Sequence, residues 1–157
     1  MEQLFDLPAH PLLVHAPVML VPLLTLGIIA LAARPAWRRG LGPWPFLVSV
    51  ITAISFMLAF QSGEAFDEAL RRNPAFEADI SHHQSLAETT RLFLLGIVVV
   101  VAVAFVLDRR SAKSASADER PSVVLTWAGA VLGVLATIWI IRTGHEGARL
   151  VWDGSIK

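Results

Sequence analysis

The chain contains no cysteine and no tyrosine. Without cysteine there is no disulfide, iron–sulfur cluster, CxxCH haem attachment, thiol nucleophile or thiolate metal site. Without tyrosine there is no phenolic acid–base chemistry. Charge is scarce as well: 17% of the 157 residues are charged, against about 25% in an ordinary soluble domain. The 13 basic and 13 acidic residues cancel, so nothing electrostatic argues for nucleic acid as a partner. Apolar residues take the space, at 55% hydrophobic content and a mean hydropathy of +0.60. That balance points to a membrane. Any chemistry has to come from His, Asp, Glu, Met, Ser, Thr or Arg.

Four apolar runs cover 12–33, 44–60, 92–107 and 122–141. A bilayer core of about 30 Å needs about 20 helical residues. The first and last runs meet this outright, and the middle two borrow polar turns at their ends. Four such runs in so short a chain read as transmembrane helices, because a lone segment satisfies its backbone in lipid only as a helix. The reading is all-α: a four-transmembrane-helix bundle in a single membrane domain over 1–157. Helices are expected at about 12–33, 44–62, 82–107 and 122–143, with a structured outer loop at 63–81. In that loop Phe66 and Leu70 suit a short surface helix, which Asn73-Pro74 would break. Ser81-x-x-Gln84 reads as a capping box for the third helix, and Gly144 and Gly147 as a glycine stop for the fourth. Glu2 and Asp6 stand where a signal peptide would be basic, so the first run is expected to stay. No sequence repeat is evident.

Two short connections hold seven of the 13 Lys and Arg residues: Arg34, Arg38, Arg39, Arg109, Arg110, Lys113 and Arg120. The positive-inside rule places both in the cytoplasm. Both termini and the long loop then lie outside. All five histidines fall on that outer side. His10 and His15 open the first helix, His82 and His83 open the third, and His145 follows the fourth. His10, set in a Pro-Ala-His-Pro stretch, is the weakest candidate. Met19 lies one turn from His15 on the same face, and Met57 lies a turn below the outer end of the second helix. Glu64, Asp67 and Glu146 share that level. Ionisable groups at the edge of a bundle are costly unless they pair or bind something. Pro17 and Pro22 would bend the first helix near His15. Gly129-x-x-x-Gly133 is a close-packing motif, suited to the bundle or to a dimer seam.

His10-Pro11-Leu12-Leu13-Val14-His15-Ala16-Pro17 resembles the H-P-x-x-V-H-x-P opening of a family of small bacterial four-helix membrane proteins of unknown function. Thr143-Gly144-His145-Glu146-Gly147-Ala148-Arg149-Leu150-Val151-Trp152 is similar to its closing motif. Ser62-Gly63-Glu64-Ala65-Phe66-Asp67 and His83-Gln84-Ser85-Leu86-Ala87 are similar to its middle pieces. The sequence departs at Ala148, Trp152 and Gln84, where the family has glycine, tyrosine and an acid. The resemblance implies a multi-pass protein of the bacterial inner membrane with a periplasmic outer side. Some members are fused to Rieske iron–sulfur domains, which implies a redox setting.

The first functional expectation is a membrane b-type haem protein for electron transfer, since two histidines from different helices can hold haem iron. His15 and His83 are the expected axial pair. His82 stands as the alternative to His83, and His145 would take a second haem or a propionate. Arg91, Arg142 and Arg149 are propionate partners, and a redox protein or quinone the expected partner besides the lipid bilayer. The second expectation is copper or another transition metal, held by His15, His82, His83 and His145 with Met19 and Met57. Below these stand a zinc-dependent hydrolase using Glu64, Asp67 or Glu146 as base, and a structural assembly subunit. A homodimer or larger complex would form through Gly129 and Gly133.

Overall fold

The computed structural model describes residues 3–4, 7–72, 79–112 and 120–152. Two short strands, β1 (Gln3–Leu4) and β2 (Leu7–Pro8), pair antiparallel with Leu4 opposite Leu7. The helices follow in order: α1 (Ala9–Leu13), α2 (His15–Ala33), α3 (Pro35–Leu41), α4 (Trp44–Arg71), α5 (Ser81–Ser111) and α6 (Arg120–Trp152). α1 and α2 run together through Val14, whose N–H donates to the His10 carbonyl at 3.1 Å. This joined helix and α4, α5 and α6 are each long and apolar enough to cross a membrane. α2 packs on α4 and α6, and α5 packs on the same two, so the spans close a four-membered ring of alternating direction. A tight turn joins α3 to α4 at Gly42, whose φ of +58° favours a residue without Cβ.

The packing follows from the solvent. Lipid tails are as apolar as leucine, so burying leucine gives little, and close backbone approach has to hold the helices. Large aliphatic side chains such as Leu26, Ile51, Val99 and Val131 accordingly face outward. Ser49, Thr52, Thr90 and Thr126 are buried inside. Each of their hydroxyls donates to a carbonyl three or four residues back, so none is left unpaired. Val21, Ile28, Phe56, Leu94, Ile97 and Ile140 fill the space between.

Gly129 and Gly133 are buried. A Cβ on Gly133 would lie 2.9 Å from Thr25 Oγ1, and one on Gly129 would meet Ile28 at 3.5 Å. The Thr25 hydroxyl donates to the Val21 carbonyl and lies 3.0 Å from Thr137 Oγ1. The motif is therefore a seam between α6 and α2 inside one chain. Of the two uses expected for the motif, the seam within the bundle is the one these contacts fill.

The helices overrun the apolar segments. α4 continues without a break through 64–71, which replaces the separate surface helix expected there. α6 passes through Gly144 and Gly147 to Trp152 and does not stop at a glycine cap. Ser81 is the first residue of α5 rather than its cap: the Asp79 carboxylate accepts the Ser81 N–H at 2.9 Å. Gln84 turns instead to Asp67, donating from Nε2 at 3.2 Å. The Asn73-Pro74 break and most of the connection at 112–119 lie outside the described residues.

Candidate functional site

The two ends of the bundle carry different polar groups. At one end Arg38, read from sequence as a loop charge, is buried with its side chain only 7% exposed. Its Nη1 donates to the Ser122 carbonyl at 3.2 Å and to Thr126 Oγ1 at 2.9 Å, and its Nη2 donates to Ser122 Oγ at 3.3 Å. Its Nε lies 3.2 Å from Asp108 Oδ2, an ion pair without hydrogen-bond alignment. The guanidinium thus ties the start of α6 to the end of α5. A cavity of about 30 Å³ adjoins it, lined by Ile28, Phe46, Val101 and Phe105 besides Arg38, Asp108 and Thr126. That is room for a water or two and no more. Arg34 over Trp37 and Arg109 over Phe105 complete this end as cation–π pairs.

At the opposite end two imidazoles meet. His10 of α1 and His83 of α5 stand with ring centroids 6.3 Å apart and ring planes at 86°. His10 Nδ1 lies 2.9 Å from the Ala59 carbonyl and 3.2 Å from Ser62 Oγ. His83 Nδ1 lies 3.1 Å from the Thr143 carbonyl. A carbonyl only accepts, so each ring carries its proton on Nδ1, and in the neutral ring Nε2 keeps the lone pair. Such an N–H to a backbone carbonyl is what orients most metal-ligating histidines. Phe66 stacks beside His10 at 6.4 Å between centroids, and the half-buried rings rest on helix backbone at Gly63 and Gly147.

The helix pairing expected from sequence is present, with one exchange: the ring against His83 is that of His10, the residue ranked lowest, rather than that of His15. His15, His82 and His145 are exposed. The register explains this, because His15 is five residues beyond His10 and so emerges on a different side of the helix. Met19 is 65% exposed and turned out of the bundle. Met57 packs against the apolar core. Glu64 is exposed. Asp67 pairs with Arg71 at 2.8 Å. Glu146 lies 3.4 Å from Arg149 Nη1. Arg91 sits over Phe60 and Arg142 over Trp139. Among the described residues no three His, Asp or Glu side chains converge as a metal-holding group.

The sequence ranked His10 last and gave Ser62, Gly63, Thr143 and Gly147 no part in a site. The two glycines carried a signal, since each lies a few residues past an apolar run in a segment that stays helical. The first was read as the start of the outer loop and the second as a stop.

The fold and this end together define a small four-helix membrane protein with an inward-facing imidazole pair. The chain belongs to the family described as predicted membrane protein (DUF2231), which matches residues 6–157. No curated protein and no solved structure matches it.

Proposed function

We propose that the protein is a membrane electron carrier in which His10 and His83 hold a b-type haem between the first and third spans. One observation carries this reading: imidazoles from two different helices stand 6.3 Å apart between centroids, each with its Nδ1 engaged by a backbone carbonyl. Metal–imidazole bonds are about 2.0–2.1 Å. Two rings gripping one ion then stand about 6 Å apart, in keeping with the 6.3 Å between these centroids. A haem would need no protein ligand beyond these two imidazoles, whereas a structural zinc site takes four. The haem itself would supply one-electron chemistry; the chain would supply the two imidazoles and the apolar ring of Phe66 beside His10. By the positive-inside rule the Arg38 end faces the cytoplasm of a bacterial inner membrane, and the histidine pair serves a quinone or redox partner at the outer face.

A second reading is favoured by the packing. His10 is pressed between Gly63 and Phe66, which suits a bare copper ion better than a macrocycle. Met19 and Met57 are not at the pair, so copper would rest on imidazole alone. The purified protein decides between the two. A Soret band that disappears in both His10→Ala and His83→Ala, and stays in His15→Ala, supports haem. Stoichiometric copper without a Soret band supports the second reading. Neither haem nor metal in protein from supplemented cells rejects both. Cysteines placed at Ser114 and Asn73 should label from opposite sides of the membrane, and labelling from one side rejects the orientation.

A further inference from the structure

The two histidines are held in the same way, and the likeness extends through the bundle. His10 donates to the carbonyl of residue 59 and rests on Gly63, four residues later. His83 donates to the carbonyl of residue 143 and rests on Gly147, again four residues later. A Cβ on Gly63 would lie 2.9 Å from His10 Cε1, and one on Gly147 would lie 3.0 Å from His83 Cε1. A side chain at either position would push the imidazole off its carbonyl.

The step from His10 to His83 is 73 residues, and the same step carries the buried stripe of α2 onto that of α5. Pro17, Val21, Leu24, Ile28 and Leu31 fall on Thr90, Leu94, Ile97, Val101 and Ala104. The step from Gly63 to Gly147 is 84 residues. It carries Ser49, Thr52, Phe56 and Ala59 of α4 onto Gly133, Ala136, Ile140 and Thr143 of α6, all of them buried. A helical stripe alone matches another at some offset. Here one offset also aligns the ligand histidines, and the other also aligns both acceptor carbonyls and both glycines. The packing order obeys the same exchange: swapping α2 with α5 and α4 with α6 leaves the ring of neighbours unchanged.

We infer that the bundle is two copies of one helical hairpin, related by a pseudo-twofold axis along the bundle, and that Gly63 and Gly147 are equivalent positioning residues for the two imidazoles. Parallel repeats of this kind place a shared site on the axis between the halves. The sequence hides the repeat because few side chains outside the holder coincide. The halves differ beside the rings, where Ser62 in the first stands against Glu146 in the second. What the pair binds rests on the reading given above; the equivalence of the holders rests on the geometry.

The test uses the full chain with ¹⁵N-labelled histidine in micelles, observed through two-bond ring correlations and assigned by single His→Ala variants. The expected spectrum has His10 and His83 both protonated at Nδ1. Gly63→Ala should displace only the His10 signals and Gly147→Ala only those of His83, with Gly144→Ala, which meets nothing within 4 Å, moving neither. Unlike tautomers in the unsubstituted protein overturn the equivalence without any variant having to fold. So does a glycine variant that folds and leaves its own ring unmoved. Matching tautomers in protein without a Soret band would reject haem and retain the repeat; a Soret band in a glycine variant that folds and leaves its own ring unmoved would reject the repeat and retain haem.

Discussion

At the arginine end one guanidinium is engaged by partners on two helices, whereas at the histidine end two imidazoles each use one nitrogen and keep the other. Arg38 meets Ser122, Thr126 and Asp108 through all three of its nitrogens. His10 and His83 spend Nδ1 on carbonyls that belong to the helix framework. The first arrangement fastens α5 to α6. The second fixes two rings on helix backbone and leaves one nitrogen of each outside those bonds, which is the difference on which the proposed ligand role rests.

The largest expected effect breaks the arginine end. Arg38→Leu leaves Asp108 half-sealed without its partner, and removing one member of a buried ion pair costs about 3–5 kcal/mol. Denaturant unfolding in detergent should show that loss, and Asp108→Leu in the same chain should recover much of it. A single variant as stable as the parent would mean that Arg38 is no clamp. The histidine ring signals should survive in whatever fraction stays folded.

Next comes the seam between the ends. Gly133→Val drives a side chain into Thr25, and overpacking of this kind costs about 1–3 kcal/mol. A lowered thermal midpoint with unchanged ligand spectra would separate framework from site. A midpoint shift as large as that of Arg38→Leu would erase the distinction drawn between seam and clamp.

At the histidine end the structural effect is smaller. His10→Ala removes one hydrogen bond, worth about 1 kcal/mol, and should leave the bundle folded while removing its ligand capacity. Cooperative unfolding that collapses in this variant would recast the pair as structural.

The smallest effect concerns the start of α5. The N–H and hydroxyl of Ser81 hold the exposed Asp79 carboxyl below the usual carboxylate range. A depressed folded value means the cap is fully present above the unfolded value and lost as pH falls through the folded one. Hydrogen exchange at Ser81 should quicken over that acidic window, and Asp79→Asn should remove the pH dependence. An unchanged profile in Asp79→Asn would assign the titration to another group.

The four spans were legible because lipid imposes one solution on long apolar runs. Their ends were not. Hydropathy reports the thickness of the hydrocarbon, whereas helical hydrogen bonding continues past it, as α4 does through Phe66 and α6 through Gly147. The gathering of histidines at one end followed from topology, since His10 and His83 both begin a helix on that side. Which histidine points inward did not, because five residues separate His10 from His15 and the turn at Val14 sets the register. Arg38 was misread for a related reason: a loop arginine contributes to charge asymmetry whether it faces water or folds back onto Ser122. The repeat was invisible because what is repeated is backbone geometry, a carbonyl and an absent side chain, which no residue-by-residue comparison counts.

The length of the helices has a further consequence. At about 1.5 Å per residue, the 31 residues of α5 span about 46 Å, against a hydrocarbon layer of about 30 Å. The apolar run of α5 begins at Leu92 and ends at Leu107, so eleven residues of the helix precede it and four follow. The surplus is then carried mostly on the side of His83. The imidazole of His83 therefore stands on the polar first turns of α5, ahead of the apolar run, and not among the outward-facing valines that follow.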